Sequence, residues 1–121
     1  MSEKCSDRIF SALESRAEDF TAFMNGQTPG PEEDYGDFME QFCNYGLSFD
    51  SEKDEFGNVE YYIYQLSWGG PSDEVRFHAD GKITYHFMDW FDGAHKDVTK
   101  EDWAQWLKDE FTELGMIRFG D

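Results

Sequence analysis

Carboxylates concentrate in one stretch of this sequence. Residues 32–60 hold ten Asp and Glu side chains and one base, Lys53, so the stretch carries a charge of −9. Regularly spaced carboxylates can present a phosphate-like field to a basic cleft, and association is then fast and salt-sensitive. The alternative is a solvated surface that serves only solubility. The ten carboxylates are Glu32, Glu33, Asp34, Asp37, Glu40, Asp50, Glu52, Asp54, Glu55 and Glu60.

The middle of this stretch resembles the opening of a calcium-binding loop. Asp50-Ser51-Glu52-Lys53-Asp54 has suitable oxygen ligands, but the sixth position is Glu55, where the sharp turn of such a loop needs Gly. The twelfth position is Tyr61, where a bidentate Glu belongs. We therefore predict no EF-hand, and we expect neither a metal site nor a cofactor.

Histidines form a second candidate group. His78 and His86 are predicted to share one face of a hairpin with Glu74, Arg76 and Thr84, and such a set could bind zinc or transfer protons. The sequence provides no nearby Cys, no His pair at helical spacing and no activated Ser. We interpret these histidines as exposed cross-strand residues, and we predict that the protein is not an enzyme.

Two aromatic loops offer an alternative ligand site. The loops Trp68–Glu74 and Asp89–His95 each follow a predicted strand and combine Trp with acidic residues. They would form one pocket only if they converge, and in a simple meander we expect the two strand ends at opposite ends of the sheet. The polar and aromatic groups of this alternative site are Asp73, Glu74, Asp89, Trp90, Asp92 and His95.

The periodicity of apolar residues predicts the elements that carry these groups. Spacings of three and four predict helices over 6–25 and 31–45, and a third helix from Thr99 to Gly115 with Asp102 in a capping box. Alternation predicts strands over 47–50, 59–68, 74–78 and 82–90, a loop over 91–98, and a possible last strand over 116–119. The fold is thus α+β: an antiparallel sheet of about four or five strands with two N-terminal helices and one C-terminal helix packed on it.

One hairpin register follows from the same pattern. A three-residue loop with Gly81 in the left-handed region would pair His78 with Lys82. That register puts Val75, Phe77 and Ile83 on one face, whereas a slip by one residue would turn half of them outward.

Composition limits the partners. The 121 residues are enough for one domain, 1–121, and their net charge of −17 argues against direct binding to nucleic acid or to an anionic membrane. Two Cys and the lack of a signal peptide or a membrane-length apolar run predict a cytoplasmic protein. We expect a monomer or a homodimer.

Two segments carry a resemblance to known proteins. YIYQLSWGGPSDE (62–74) and YHFMDWFDGA (85–94) resemble a group of small, uncharacterised acidic proteins from phages and bacterial mobile elements. The likeness covers about residues 60–95 and brings no assigned active site. It implies a counter-defence context, in which small acidic phage proteins imitate DNA and inhibit CRISPR effectors or restriction enzymes.

These observations lead to a main hypothesis and two alternatives. The main hypothesis is a non-enzymatic decoy whose ten carboxylates bind a basic, nucleic-acid-binding protein or effector complex in a bacterial host cell. Tyr62, Tyr64 and Trp68 would contribute aromatic anchors. The first alternative is a small-molecule-binding protein or minor enzyme that uses the two aromatic loops. The second is an assembly protein of a virion.

Overall fold

The structure, a computed structural model, describes residues 4–69, 71–89 and 92–119, except for the side chain of Tyr35. The described part of the chain contains helices α1 (Cys5–Met24), α2 (Glu32–Tyr35), α3 (Phe38–Tyr45) and α4 (Asp102–Glu113). Its strands are β1 (Ser48–Lys53), β2 (Val59–Ser67), β3 (Pro71–His78), β4 (Ile83–Asp89) and β5 (Asp92–Asp97). The predicted α+β class is confirmed. No helix within these ranges has the length and apolarity needed to cross a membrane.

The five strands form an antiparallel meander in the order β1-β2-β3-β4-β5. Helices α1 and α4 pack against each other, and α1 lies over β4 and β5. Phe111 of α4 contacts the rings of Phe49, Tyr64 and Phe77, which the strand pairing places on the same face of the sheet. The main core therefore lies between this face, called here the helix-side face, and the helices.

The predicted register of the β3–β4 hairpin is confirmed. Val75 pairs with Tyr85 and Phe77 pairs with Ile83, and all four side chains are fully buried. The N–H of His78 donates to the carbonyl of Lys82 at 2.9 Å, and Gly81 adopts φ 95° in the three-residue loop. A residue with a Cβ would be strained at that backbone angle, so Gly81 allows the register that keeps the core together.

The prediction of one continuous helix over 31–45 is wrong. Gly36 has φ 92°, which ends α2 after one turn. The carboxylate of Asp37 then accepts the N–H of Glu40 at 3.0 Å and begins α3 as its N-cap. The cost of Gly36 in a helix and the capping ability of Asp37 together explain why the chain breaks here.

Other differences lie at the edges of the elements. β1 continues to Lys53, and residues 92–97, predicted as a loop, form the edge strand β5, which has no apolar alternation because it lies at the margin of the sheet. Residues 116–119 are not a strand. α4 begins at Asp102, and Thr99 instead accepts the N–H of Ile83 at 2.9 Å.

The expectation that the two aromatic loops lie at opposite ends of the sheet is wrong. In an antiparallel meander β2 and β4 run in the same direction, so the β2–β3 and β4–β5 connections meet at the same end. The pairing of Pro71 with Asp89 places the strand ends that bound the two connections side by side.

Candidate functional site

The connection between β1 and β2 is an acidic hairpin, defined here as residues 50–60. Asp54 shapes its turn, because its carboxylate accepts the N–H groups of Phe56 at 2.8 Å and Asn58 at 2.9 Å. These hydrogen bonds, above all the one from the backbone of Asn58, lower the pKa of Asp54 below its usual range. Asp50, Glu52 and Lys53, in the outer half of β1, are exposed.

Phe56 lies in the turn of this hairpin and is 80% exposed, the largest exposed fraction among the large apolar side chains that the structure describes. Its sequence neighbours are charged or polar, and the nearest carboxylates along the chain are Asp54 and Glu55. The sequence hypothesis overlooked Phe56. The signal that could have identified it is a lone aromatic residue in an otherwise polar turn.

The other predicted carboxylates lie on an acidic elbow, defined here as residues 32–40, where α2 ends and α3 begins. Glu32, Glu33, Asp34, Asp37 and Glu40 are all exposed. Gln41, which is buried, fixes the elbow by accepting the N–H of Gly30 and donating to the carbonyls of Gly30 and Gly36. Most of these acids occupy first helical turns, where a carboxylate is favourable next to free N–H groups.

The structure does not bring the ten carboxylates onto one plane. Asp50 and Glu52 pair with Ile63 and Tyr61 and so lie on the face of the sheet opposite the helices, called here the open face. The alternation along β2 places Glu60 on the helix-side face, and the elbow belongs to the helical layer. Two separate acidic surfaces, the hairpin and the elbow, therefore replace the single surface of the sequence hypothesis.

The predicted aromatic anchors differ in accessibility. Tyr64 is only 6% exposed and contacts Phe111 in the core, so its side chain cannot project into a groove of a partner as an anchor. Tyr62 is half-buried, and its hydroxyl donates to the carbonyl of Arg118. Trp68 is 67% exposed, but it follows the end of β2, roughly 30 Å from the hairpin at about 3.3 Å per strand residue.

The carboxylates proposed for the alternative ligand site are engaged inside the molecule. Asp73 is 3% exposed and accepts from Nε and Nη2 of Arg16 at 2.8 and 3.0 Å, and from the hydroxyls of Ser67 and Tyr85. Burial alone would raise the pKa of Asp73, but these hydrogen bonds outweigh it and hold the pKa below its usual range. We call this group of residues the Arg16–Asp73 network.

The remaining residues of that alternative site are also dispersed. Glu74 forms an ion pair with Arg76 on the open face, and Asp89 forms an ion pair with Arg8 of α1. Asp92 accepts the N–H of Cys5 at 2.7 Å, and Trp90 lies outside the described residues. His95 is on the open face, stacked on His86 with 5.3 Å between ring centroids. The two loops meet, but their polar groups do not converge on a ligand.

Histidines form a row across the open face. The hydroxyl of Thr84 shares hydrogen bonds of 2.8 Å with Nε2 of His78 and with Nε2 of His86, and His95 continues the row. Burial, followed by the charge of Arg76 and the two neighbouring histidines, lowers the pKa of His86 to about 4. Within the described residues, no group of three or more His, Cys, Asp or Glu side chains is arranged to hold a metal ion.

No family model matches the chain, and no curated protein or solved structure matches it.

Proposed function

We propose that this chain is a non-enzymatic acidic inhibitor that inserts its hairpin into a basic, nucleic-acid-binding groove of a bacterial defence or DNA-processing protein. One observation carries the proposal: Phe56 is 80% exposed in the turn of a hairpin that bears five carboxylates and one base. Those carboxylates are Asp50, Glu52, Asp54, Glu55 and Glu60. Among the described residues, none of them forms an ion pair.

The distribution of bases supports this function. Arg8, Arg16 and Arg76 form ion pairs with Asp89, Asp73 and Glu74, so part of the small basic complement is consumed inside the protein. The negative charge that remains, much of it on the hairpin and the elbow, attracts cationic surfaces over about one Debye length, near 8 Å at physiological salt. Such steering raises the association rate.

Phe56 supplies binding affinity that the exposed carboxylates alone do not. Exposed carboxylates contribute little net affinity once a complex has formed, because desolvation offsets much of their attraction. Full burial of a Phe side chain is favourable by about 1.5–3 kcal/mol. In the proposed complex the carboxylates therefore set the association rate, and Phe56 sets the residence time.

The resemblance of residues 60–95 to small acidic phage proteins, drawn from the sequence, implies a counter-defence role in the bacterial cytoplasm, and we include that role in the proposal. In this role the hairpin and the elbow would occupy sites that bind phosphates of the nucleic acid.

A salt-gradient pull-down from bacterial lysate tests the proposal. The immobilised chain should retain a nucleic-acid-binding protein at low salt and release it at moderate salt. The variant Glu52→Lys/Glu55→Lys should lose this retention. Asp54 stays unchanged because it holds the turn.

A matched variant separates the hairpin from bulk charge. Glu14→Lys/Glu18→Lys on α1 changes the net charge by the same amount, since both residues are exposed carboxylates. It should shift elution only slightly. Phe56→Ala should shorten residence of the captured protein, with Phe10→Ala as its control, because Phe10 is 58% exposed on α1. Equal effects of the two charge variants would refute insertion of the hairpin.

A further inference from the structure

A cavity of about 250 Å³ opens between the helix-side face of the sheet and the ends of α3 and α4. Its lining includes four aromatic rings, those of Phe42, Phe49, Tyr64 and Phe111. Sequence periodicity gave no sign of this cavity, because these residues all belong to apolar stripes that a closed core would also produce.

The rim of the cavity is apolar and exposed. Leu47, Leu114 and Met116 are 54%, 60% and 37% exposed, although they stand next to a concave apolar surface that could cover them. Single exposed apolar residues are common on soluble proteins, but a cluster around a cavity is typical of an interaction site.

The cavity adjoins the free edge of the sheet. Ser48 and Phe49 line it and also begin β1, which within the described residues has a strand partner on one side only. The outer side of an edge strand presents backbone N–H and C=O groups that can pair with an added strand. Recognition by strand addition uses these groups for affinity and side-chain cavities for specificity. Both components are present at this edge.

The charges around the cavity select the occupant. None of the described residues that line it is basic. Glu110 lies about one turn before the lining residue Leu114, which caps α4, and the exposed Glu52 stands on β1 itself. Asp50 continues β1 beyond Phe49. Arg118, which lies over Gly115, partly offsets these acids. A second copy of this chain would bring another charge of −17 and is disfavoured.

We propose that an extended, basic segment of a partner protein adds to the free edge of β1 and places one aliphatic or aromatic side chain in this cavity. The inference rests on the proposed function, because the same partner would supply the segment. It extends the contact from the acidic hairpin along the length of β1 to the cavity, about 20 Å for its six residues.

Short synthetic peptides test the inference on the whole chain. The probe is an acetylated, amidated peptide of alternating Lys and Thr with one central Leu, and its partner peptide has Ser in place of that Leu. We expect the Leu peptide to bind about tenfold more tightly, a factor that a single buried side chain can provide. Methylation of alternate peptide nitrogens should abolish binding, because strand addition needs those donors.

Cys43 reports occupancy of the cavity. Its thiol is exposed in the lining, whereas Cys5 is buried, so a thiol reagent should label Cys43 selectively. The Leu peptide should slow this labelling and the Ser peptide should not. Equal binding of the two peptides, or labelling that neither one slows, would overturn the proposal.

Matched variants separate this inference from the proposed function. Leu114→Lys should weaken binding of the Leu peptide at least about tenfold, whereas Phe10→Lys should not, since the two residues are 60% and 58% exposed. Phe56→Ala should leave peptide binding unchanged. Peptide binding that ignores Leu114→Lys refutes the cavity site even if the lysate partner still requires the hairpin. Self-association that Leu114→Lys abolishes would identify a second copy as the occupant and would also overturn the proposal.

Discussion

The Arg16–Asp73 network and the acidic hairpin use carboxylates for opposite purposes. The network holds a carboxylate inside the fold, and the hairpin presents carboxylates to solvent. In the network, Asp73 is 3% exposed, and its carboxylate accepts hydrogen bonds from Arg16, Ser67 and Tyr85. On the hairpin, Glu52 and Glu55 are exposed and form no ion pair among the described residues. A carboxylate near an aromatic loop is therefore not a ligand group by position alone, because the groups that it contacts decide its role.

Removal of Asp73 should have the largest effect. Asp73→Ala leaves the charge of Arg16 without its counter-ion and the buried hydroxyl of Tyr85 without its acceptor. We expect a loss of about 3–5 kcal/mol in the free energy of unfolding, measured by urea denaturation. Glu55→Ala should change the same quantity by less than about 0.5 kcal/mol. Similar losses for the two variants would show that Asp73 is no more important for stability than an exposed carboxylate.

As the pH falls, protonation of His86 should destabilise the protein before protonation of the carboxylates has the larger effect on stability. The pKa of His86 is about 4 in the folded chain, against about 6.5 when unfolded, so the unfolded state binds this proton more readily. The contribution of His86 to the free energy of unfolding is therefore fully present above pH 6.5. It falls by about 1–3 kcal/mol as the pH drops to 4.

A variant isolates this contribution from the falling repulsion between carboxylates. The difference in unfolding free energy between the natural chain and His86→Asn should shrink from pH 6.5 to 4, because burial and the charges of Arg76, His95 and His78 oppose protonation of His86, and Asn has no such proton to bind. A difference that stays constant with pH would show that His86 is not held neutral.

Loss of the N-cap of α3 should have a smaller effect on stability. It separates the acid of the elbow that has a structural role from those that are only exposed. Asp37→Ala removes the acceptor of the Glu40 N–H, and we expect a loss of about 1 kcal/mol in unfolding free energy. Asp37→Asn should retain most of the stability because its side-chain oxygen can still cap. A loss that is equal for both variants would assign the effect to charge instead of capping.

The smallest effect is expected for Glu33. Glu33→Gln removes an exposed charge that forms no ion pair within the described chain, so unfolding free energy should change by less than about 0.5 kcal/mol. Retention of the lysate partner should decrease if the elbow contributes to the field. A measurable loss of stability would place Glu33 with Asp37 as a structural acid.

The sequence predicted the parts of the fold that depend on local periodicity. Helix α1 and the β3–β4 register followed from stripes such as Ile9, Phe20 and Phe23 and from Gly81. Strand β5 did not, because Asp92–Asp97 is an edge strand without apolar alternation. The site was less predictable, since the roles of Asp73 and Asp89 depend on Arg16 and Arg8, which lie 57 and 81 residues away in the chain. No local pattern encodes those partners.

The meander and α1 place different demands on a chain that emerges from a ribosome. Each strand pairs with the next along the chain, so the sheet can form in the order of synthesis. Helix α1 cannot dock in this way, because the N–H of Cys5 awaits the carboxylate of Asp92, 87 residues later. At about 5–20 residues per second, that interval is roughly 4–17 s. Until then the contacts of α1 with β5 and α4 cannot form, so part of its apolar stripe stays uncovered while the chain is being made.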